Sequence, residues 1–397
     1  MNKGDVLMRN KEILLVPGPT PVVDEIYDAL ASETRGHTDP RFVEIFKRAI
    51  ENTKKLFNTD GEVFIVAGSG TLAMEMAVVN TVAAGESILV ISHGYFGDRF
   101  ELLAKAFQID VDILQAEWGQ RVSTEAVREQ LAKKSYKLVT ITHADTSTGV
   151  ASDLDELVPI IKAAGALVAV DGVVATAALV EDMGKAYGGN ENYKIDIVLT
   201  GSQKAIGVPP GLAIIAFSQQ ALAARANLAF VPAYYADIEN WRPIMNDPSK
   251  YFATPPVNLI YALDVALQIV LEEGMEQREA RHVRYGQGVR AALKSYGFTP
   301  LASEEVAAPT LSCLLYPEGV EDAAFRGKLA SRGVIVAGSL AHLAGKAFRI
   351  GHMGNTTPEQ LVEAIRVVGE ALQELNIDAN IEQAVEVLNG YIGQKVK

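Results

Sequence analysis

Residues 138–171 open on Leu138-Val-Thr-Ile-Thr-His143 and close on Ala166-Leu-Val-Ala-Val-Asp171, two short apolar runs rich in β-branched residues. Between them the segment Leu154–Ala164 places its apolar residues at helical spacing. Strand, helix and strand in so short a stretch mark a crossover connection, and a crossover joins parallel strands. The rhythm extends outward from about Glu62 to Phe217. Candidate strands fall at Val63–Ala67, Ser87–Ser92, Val111–Gln115, Leu138–His143, Leu167–Asp171, Ile195–Thr200 and Leu212–Phe217. Helical patterns at Thr71–Ala83, Gly97–Phe107 and Thr124–Lys133 lie between them. Several of the strands are almost wholly apolar, as a sheet covered by helices on both faces requires. The expectation is an α/β fold with a mostly parallel, seven-stranded sheet.

Beyond Tyr251-Phe-Ala-Thr-Pro-Pro256 one long amphipathic pattern runs to about Tyr296, with Leu263, Ala266, Leu267, Val270 and Leu271 in its apolar stripe. It reads as a spine between two domains. A strand around Leu311–Leu315, helical segments at Asp322–Ser331 and Pro358–Leu375, and a strand at Ala347–Ile350 then describe a smaller α+β domain. A chain of 397 residues exceeds what one core supports. The expected division is an N-terminal arm at 1–20, a large domain at 21–270 and a small C-terminal domain at 271–397.

With 49% hydrophobic and 21% charged residues the chain has enough apolar surface for a sizeable core. The net charge of -13, without a dense Lys/Arg block, argues against a nucleic-acid partner. One cysteine, Cys313, excludes an intrachain disulfide and a multi-cysteine metal site, and its run Thr310-Leu-Ser-Cys-Leu-Leu-Tyr316 reads as a buried strand. No metal is expected. Met1 to Lys11 lack the apolar core of a signal peptide and no run of about 18 apolar residues occurs, so the expected location is the cytoplasm, off the membrane.

Three motifs carry chemistry. Gly68-Ser-Gly-Thr71 follows a strand and opens a helix, so its backbone N–H groups form an anion cradle, or simply a turn with a capping threonine. It lacks the Gly-Lys-Ser/Thr of a Walker loop. Asp171 ends an apolar strand at the carboxyl edge of the sheet, where ligands of open α/β folds bind. A carboxylate there needs a cationic partner, such as a pyridinium nitrogen, or serves as a helix cap for the residues after Gly172. Lys204 sits in Leu199-Thr-Gly-Ser-Gln-Lys-Ala-Ile-Gly-Val-Pro-Pro-Gly211, a loop dense in glycine and proline. Partial desolvation there lowers the basicity of an amine, which is what a Schiff-base lysine requires.

At this point the chain resembles a known family over nearly its whole length: the class V aminotransferases, especially the alanine/serine–glyoxylate group of the type I pyridoxal-phosphate fold. Ser202-Gln-Lys204 followed by Gly207-Val-Pro-Pro-Gly211 is similar to that group's lysine loop. The resemblance implies pyridoxal 5'-phosphate on Lys204, with Asp171 at the pyridinium nitrogen. His143-Ala-Asp-Thr-Ser-Thr-Gly149 resembles the loop that sets a hydroxyl, here Thr146, near the ring oxygen. Ser69, Gly70 and Thr71 are implied at the phosphate, Gln203 at a second phosphate or ring contact, and Phe96 in stacking, although tryptophan often occupies that position. Tyr251 and Thr254 match residues that reach the phosphate from a neighbouring subunit, implying a homodimer with shared active sites. Arg349 matches the arginine that clamps the substrate carboxylate; without the resemblance, a lone arginine at a strand would more often be an ion-pair residue. Leu14-Leu-Val-Pro-Gly-Pro-Thr20 resembles the N-terminal loop in which Gly18 allows close approach to a small substrate. His37 and Arg41 are either cleft-lining or an exposed loop pair.

The implied reaction moves an amino group from alanine or serine to glyoxylate or pyruvate by a ping-pong route, Lys204 acting as anchor and base. Related enzymes use ureidoglycine, aspartate or aminoethylphosphonate. A desulfurase or lyase is the rival within the fold, and a desulfurase needs a cysteine on a flexible loop, unlike Cys313. A phosphate-ligand binding protein or a structural dimer, without turnover, is the rival outside it.

Overall fold

The computed structural model describes residues 12–393. The first eleven residues of the expected arm, and with them the reading of Met1 to Lys11, lie outside the described residues. Seven strands form the main sheet: β1 (Glu62–Ala67), β2 (Ser87–Ser92), β3 (Asp110–Gln115), β4 (Leu138–Thr142), β5 (Leu167–Asp171), β6 (Ile197–Gly201) and β7 (Leu212–Phe217). Their spatial order is β1-β7-β6-β5-β4-β2-β3. The pairings from β6 through β3 are parallel, whereas β7 runs antiparallel to both β6 and β1. The exception has a simple cause. Only residues 202–211 link β6 to β7, too short a connection to make a crossover, so the chain must double back.

Strands β4 to β7 are buried from end to end, which is why they read as unbroken apolar runs. The edge strand β3 is half-exposed, and its Asp110 and Asp112 both meet the Lys134 ammonium at 2.7 Å, placing charge on an edge that could otherwise pair with another chain. Helices α1 (Pro40–Phe57), α2 (Gly70–Val79), α3 (Tyr95–Ala106), α4 (Thr124–Lys133) and α5 (Leu154–Ala163) fill the connections around the sheet. Element ends differ from the sequence reading by one to a few residues, the ordinary uncertainty of frayed termini.

The spine is not one helix. It divides into α6 (Val257–Glu273) and α7 (Met275–Ser295) at Gly274, whose φ of 78° lies outside the helical region. Helical periodicity continues on both sides of the break, so pattern alone does not reveal it. Helix α6 belongs to the core of the large sheet, and α7 contributes Tyr285, Val289 and Leu293 to a second core. That second core lies against a four-stranded antiparallel sheet of order β8-β9-β11-β10, made of β8 (Thr299–Pro300), β9 (Leu311–Leu315), β10 (Ala337–Gly338) and β11 (Ala347–Gly351). Phe325 and Leu329 of the helix Asp322–Ser331, with helices α8 (Pro358–Glu374) and α9 (Ile381–Ile392), complete it. Cys313 is buried in β9, where loss of solvation pushes its thiol up to about 11. Among the described residues no helix is long and apolar enough to cross a membrane, and no cluster of three or more metal-ligating side chains occurs.

The entry segment acts as a strap. Ile13 and Leu14 pair in parallel with Val334 and Ile335, and the Gly351 N–H donates to the Leu15 carbonyl at 2.7 Å. Having been laced to the C-terminal sheet, the chain crosses to the loop that carries Lys204.

Candidate active site

Five of the strands deliver a loop to the carboxyl edge of the large sheet, and those loops enclose one cavity. Ser69, Gly70 and Thr71 line it from β1, Phe96 from β2, Thr146 from β4, Asp171 from β5, and Gln203 with Lys204 from β6. Parallel strands end together on one edge, so residues more than a hundred positions apart converge there.

Lys204 is largely buried, and desolvation pulls its ammonium down to about 8, helped by the positive charge of Arg349 and opposed by Asp171 and Asp145. Its Nζ donates to the Pro17 carbonyl. The loop itself is clamped from the strap: the Thr20 hydroxyl donates to the Lys204 carbonyl at 2.6 Å, and the Thr20 N–H to the Gln203 carbonyl at 3.0 Å. Gly18 is there out of necessity. It has a φ of +115°, and a Cβ at this position would lie 2.3 Å from Lys204 Nζ. Gly18→Ala should therefore lose about 1–3 kcal/mol of stability by chemical denaturation. Gly36→Ala, at a position with nothing within 4 Å, is the control and should be nearly neutral.

Asp171 is the last residue of β5 and is buried. Among the described residues its carboxylate takes one hydrogen bond, from the Val173 N–H at 3.0 Å, and no salt bridge. The cost of burial raises it to about 7; the Val173 hydrogen bond opposes that, and the nearby Asp145 and Glu181 add to it. The segment after Gly172 forms turns, not a helix, so the capping role considered for Asp171 is reduced to that single turn contact. Behind it, His143 Nδ1 meets Glu181 Oε1 at 2.8 Å, and the Thr176 hydroxyl donates to Glu181 Oε2 at 2.5 Å. Gly172 leaves room for that carboxylate, since a Cβ there would lie 2.5 Å from both Glu181 oxygens.

Phe96 enters the cavity at the start of α3, held by a residue the sequence reading passed over. Asp145 is fully buried and accepts from the N–H groups of Phe96 at 3.0 Å, Gly97 at 3.1 Å and Ser147 at 2.8 Å. It neutralises the positive end of the helix and sets the ring's position. Its place in the same motif as Thr146 was the available signal.

Ser69 and Gly70 open α2, and the Ser69 side chain makes no capping bond within the helix. The first N–H groups of α2 thus face the cavity beside an uncommitted hydroxyl, an arrangement suited to an anion. Arg99, from the second turn of α3, donates from Nη1 to Thr71 Oγ1 at 2.9 Å and lies with its Cζ 5.0 Å from the Phe96 ring centroid.

Arg349 stands on β11, across from Cys313. It donates to the carbonyls of Gly338 at 2.9 Å and Thr146 at 3.1 Å, and among the described residues no carboxylate lies within ion-pair distance. Of the two readings weighed for it, the ion pair is thus not realised. Burial holds its guanidinium below the usual arginine value.

Tyr251 and Thr254 do not line the cavity of their own chain; Tyr251 is 63% exposed, its hydroxyl 3.3 Å from that of Thr254. The His37 ring packs against Tyr251 with centroids 5.3 Å apart. Arg41 is an exposed residue paired with Asp39, the residue that caps α1, at 2.7 Å. Neither His37 nor Arg41 lines the cavity.

Nothing in the sequence pointed to Arg278, which is 1% exposed. It donates to the carbonyls of Ala177 and Ala205 (the latter at 2.9 Å) and pairs with Glu273 at 2.6 Å. Glu273 also binds Arg281, which reaches the Gly354 carbonyl at 3.1 Å. One network at the start of α7, buried at Arg278 and half-buried at Glu273 and Arg281, therefore ties together the segments following Asp171, Lys204 and Arg349. In a periodicity reading it was only a charged helix face.

A lysine of lowered basicity and a buried aspartate without a salt bridge among the described residues line one cavity at the carboxyl edge of the sheet, and solved structures share the fold. The chain superposes on the alanine–glyoxylate aminotransferase of Nostoc sp. with a TM-score of 0.85 at 28% identity, covering 94% of this chain and 99% of that one. The family model "Aminotransferase class-V" matches residues 20–353, and the chain belongs to that family. It is 38% identical to an uncharacterized aminotransferase of Methanocaldococcus jannaschii, over 95% of this chain and 98% of the relative. To the serine–glyoxylate aminotransferase of Methylorubrum extorquens it is 33% identical, over 96% and 95% respectively.

Proposed function

We propose that the chain carries pyridoxal 5'-phosphate on Lys204 and transfers an amino group from a small L-amino acid, alanine or serine, to glyoxylate or pyruvate. The observation that carries this reading is Asp171: a buried carboxylate with no salt bridge among the described residues, lining the same cavity as a lysine of lowered basicity. A protonated pyridine nitrogen is the missing partner. The free Ser69 hydroxyl and the α2 N–H groups suit the phosphate, the Phe96 ring suits a stacked face, and Thr146 and Gln203 complete the walls.

When bound, this cofactor supplies an electron sink for the charge left on the substrate α-carbon. The other contributions come from the chain. The Lys204 amine takes the α-proton and returns it one position away. Asp171 keeps the ring nitrogen protonated. Arg349 offers a bidentate fork to the substrate α-carboxylate, and Gly18 brings the strap close enough to restrict the acid's size. Relatives named for serine and for alanine support small donors.

A homodimer fits the surface. Phe230 (77% exposed), Tyr234 (78%) and Tyr251 are exposed aromatics, Tyr234 and Tyr235 both pack on the Phe252 ring, and the Tyr235 hydroxyl donates to the Ala67 carbonyl at 3.1 Å, at the edge of the anion cradle. Exposed aromatic area of this kind marks a docking surface. A partner seated there would bring its Tyr251 and Thr254 toward the phosphate.

The test is the visible spectrum of the cofactor-loaded protein before and after L-alanine or L-serine, with no keto acid present. Loss of the band and its recovery with glyoxylate support the reading; a protein that stays colourless with pyridoxal phosphate refutes it. Arg349→Gln should raise KM for the donor about ten- to hundredfold, the worth of a charge-assisted bidentate contact, while leaving the spectrum of the resting protein unchanged. An unaltered KM would remove Arg349 from the substrate site.

A further inference from the structure

We infer that Arg99 is the residue whose positive charge binds the cofactor phosphate, an inference that rests on the pyridoxal-phosphate reading above. A phosphate ester near neutral pH is largely dianionic, and the cradle at Ser69–Thr71 offers it neutral donors and a helix end worth about half a charge. Two cations line the cavity, Lys204 and Arg99. Lys204 gives up its amine to attachment, and Arg349, which donates to the carbonyls of Gly338 and Thr146, is assigned above to the substrate carboxylate.

Arg99 is placed for the task. Its Nη1 already donates to Thr71 Oγ1 at 2.9 Å, so an anion held on the N–H groups of Gly70 and Thr71 comes within reach of the same guanidinium. By accepting from Arg99, the Thr71 hydroxyl has its own proton directed elsewhere and free for a phosphate oxygen. Among the described residues no carboxylate forms a salt bridge with Arg99, whose charge acts on Asp171 only as a minor influence from beyond contact. The contacts to Phe96 (Cζ to centroid 5.0 Å) and Tyr95 (5.7 Å) hold the guanidinium plane in place. One helix, α3, thus carries both the stacking ring and the phosphate cation, one turn apart.

The experiment compares two aldehydes that attach to Lys204 alike and differ only in the phosphate: pyridoxal phosphate and pyridoxal. Full-length protein freed of cofactor is titrated with each, following the visible band, in wild type, Arg99→Gln and Arg99→Lys. The expected result is that R99Q weakens pyridoxal phosphate binding about ten- to hundredfold, the worth of a hydrogen bond between charged groups, and changes pyridoxal binding by less than about twofold. R99K should recover a large part of the loss. Unchanged pyridoxal phosphate affinity in R99Q overturns the inference, as does an equal loss for both aldehydes, which would mean that Arg99 acts through the Phe96 ring or the fold. Wild type that binds neither aldehyde overturns the cofactor reading, and this inference with it.

Discussion

Lys204→Ala is expected to lower transamination at least about a thousandfold, because it removes the attachment point and the proton carrier together. It should leave the far-ultraviolet circular dichroism unchanged, since the clamp on the loop runs through the Lys204 backbone carbonyl and Thr20, not through the amine. The wild-type amine also predicts a pH dependence. Burial depresses it to about 8, so the folded protein holds the neutral, nucleophilic form above that pH and the ammonium below. Attachment of pyridoxal phosphate to the cofactor-free protein should therefore speed up as pH rises through about 8 and then level off. A K204A protein that still forms the visible band, or retains a tenth of wild-type turnover, would end the assignment.

Asp171→Asn is expected to reduce turnover about a hundred- to thousandfold while making the cofactor-free protein more stable at pH 8. The two effects share one origin. Asp171 rises from an ordinary 3.8 to about 7 on folding, which corresponds to on the order of 4 kcal/mol against the ionised form. The sign follows from proton binding. Between about pH 4 and 7 the folded state holds a proton that the unfolded state has released, so this group's contribution to stability falls as pH rises across that window and stays low above it. Asparagine can keep the contact to the Val173 N–H without ever charging. The stability gain of D171N over wild type should therefore appear near pH 8, shrink through pH 7 and vanish near pH 4, measured by denaturant unfolding of cofactor-free protein. Saturating pyridoxal phosphate should reverse the order at pH 8, because wild type then gains an ion pair that the variant cannot form. A D171N enzyme with turnover within threefold of wild type would show that the carboxylate is not the ring's partner.

Arg278 marks the kind of residue that pattern cannot find. Its neighbours on α7 are charged and its spacing is that of a solvated face, yet its guanidinium ends fully buried against Ala177, Ala205 and Glu273. Those partners are mostly backbone carbonyls, which leave no trace in side-chain identity. Asp145 differs: it lay inside a motif already singled out, and what was missing was that α3 begins beside it. The break at Gly274 differs again, for a glycine within a continuous apolar stripe is compatible with both an unbroken helix and two helices.

The sequence by itself determined the seven strands, the helices around them and the placing of Ser69–Thr71, Asp171 and Lys204 on one sheet edge, whereas Phe96 and Thr146 came from the family resemblance. Strand and helix periods are local properties, and loops that follow parallel strands must emerge on one edge. Only the tertiary structure decided that β7 turns back between β1 and β6, that Arg349 has no acidic partner among the described residues, that Tyr251 and Thr254 stand outside their own chain's cavity, and that Arg99 meets Thr71. Each of these depends on distances between segments far apart in the chain. Such distances are set by how helices and sheets pack, and no short window of sequence contains them.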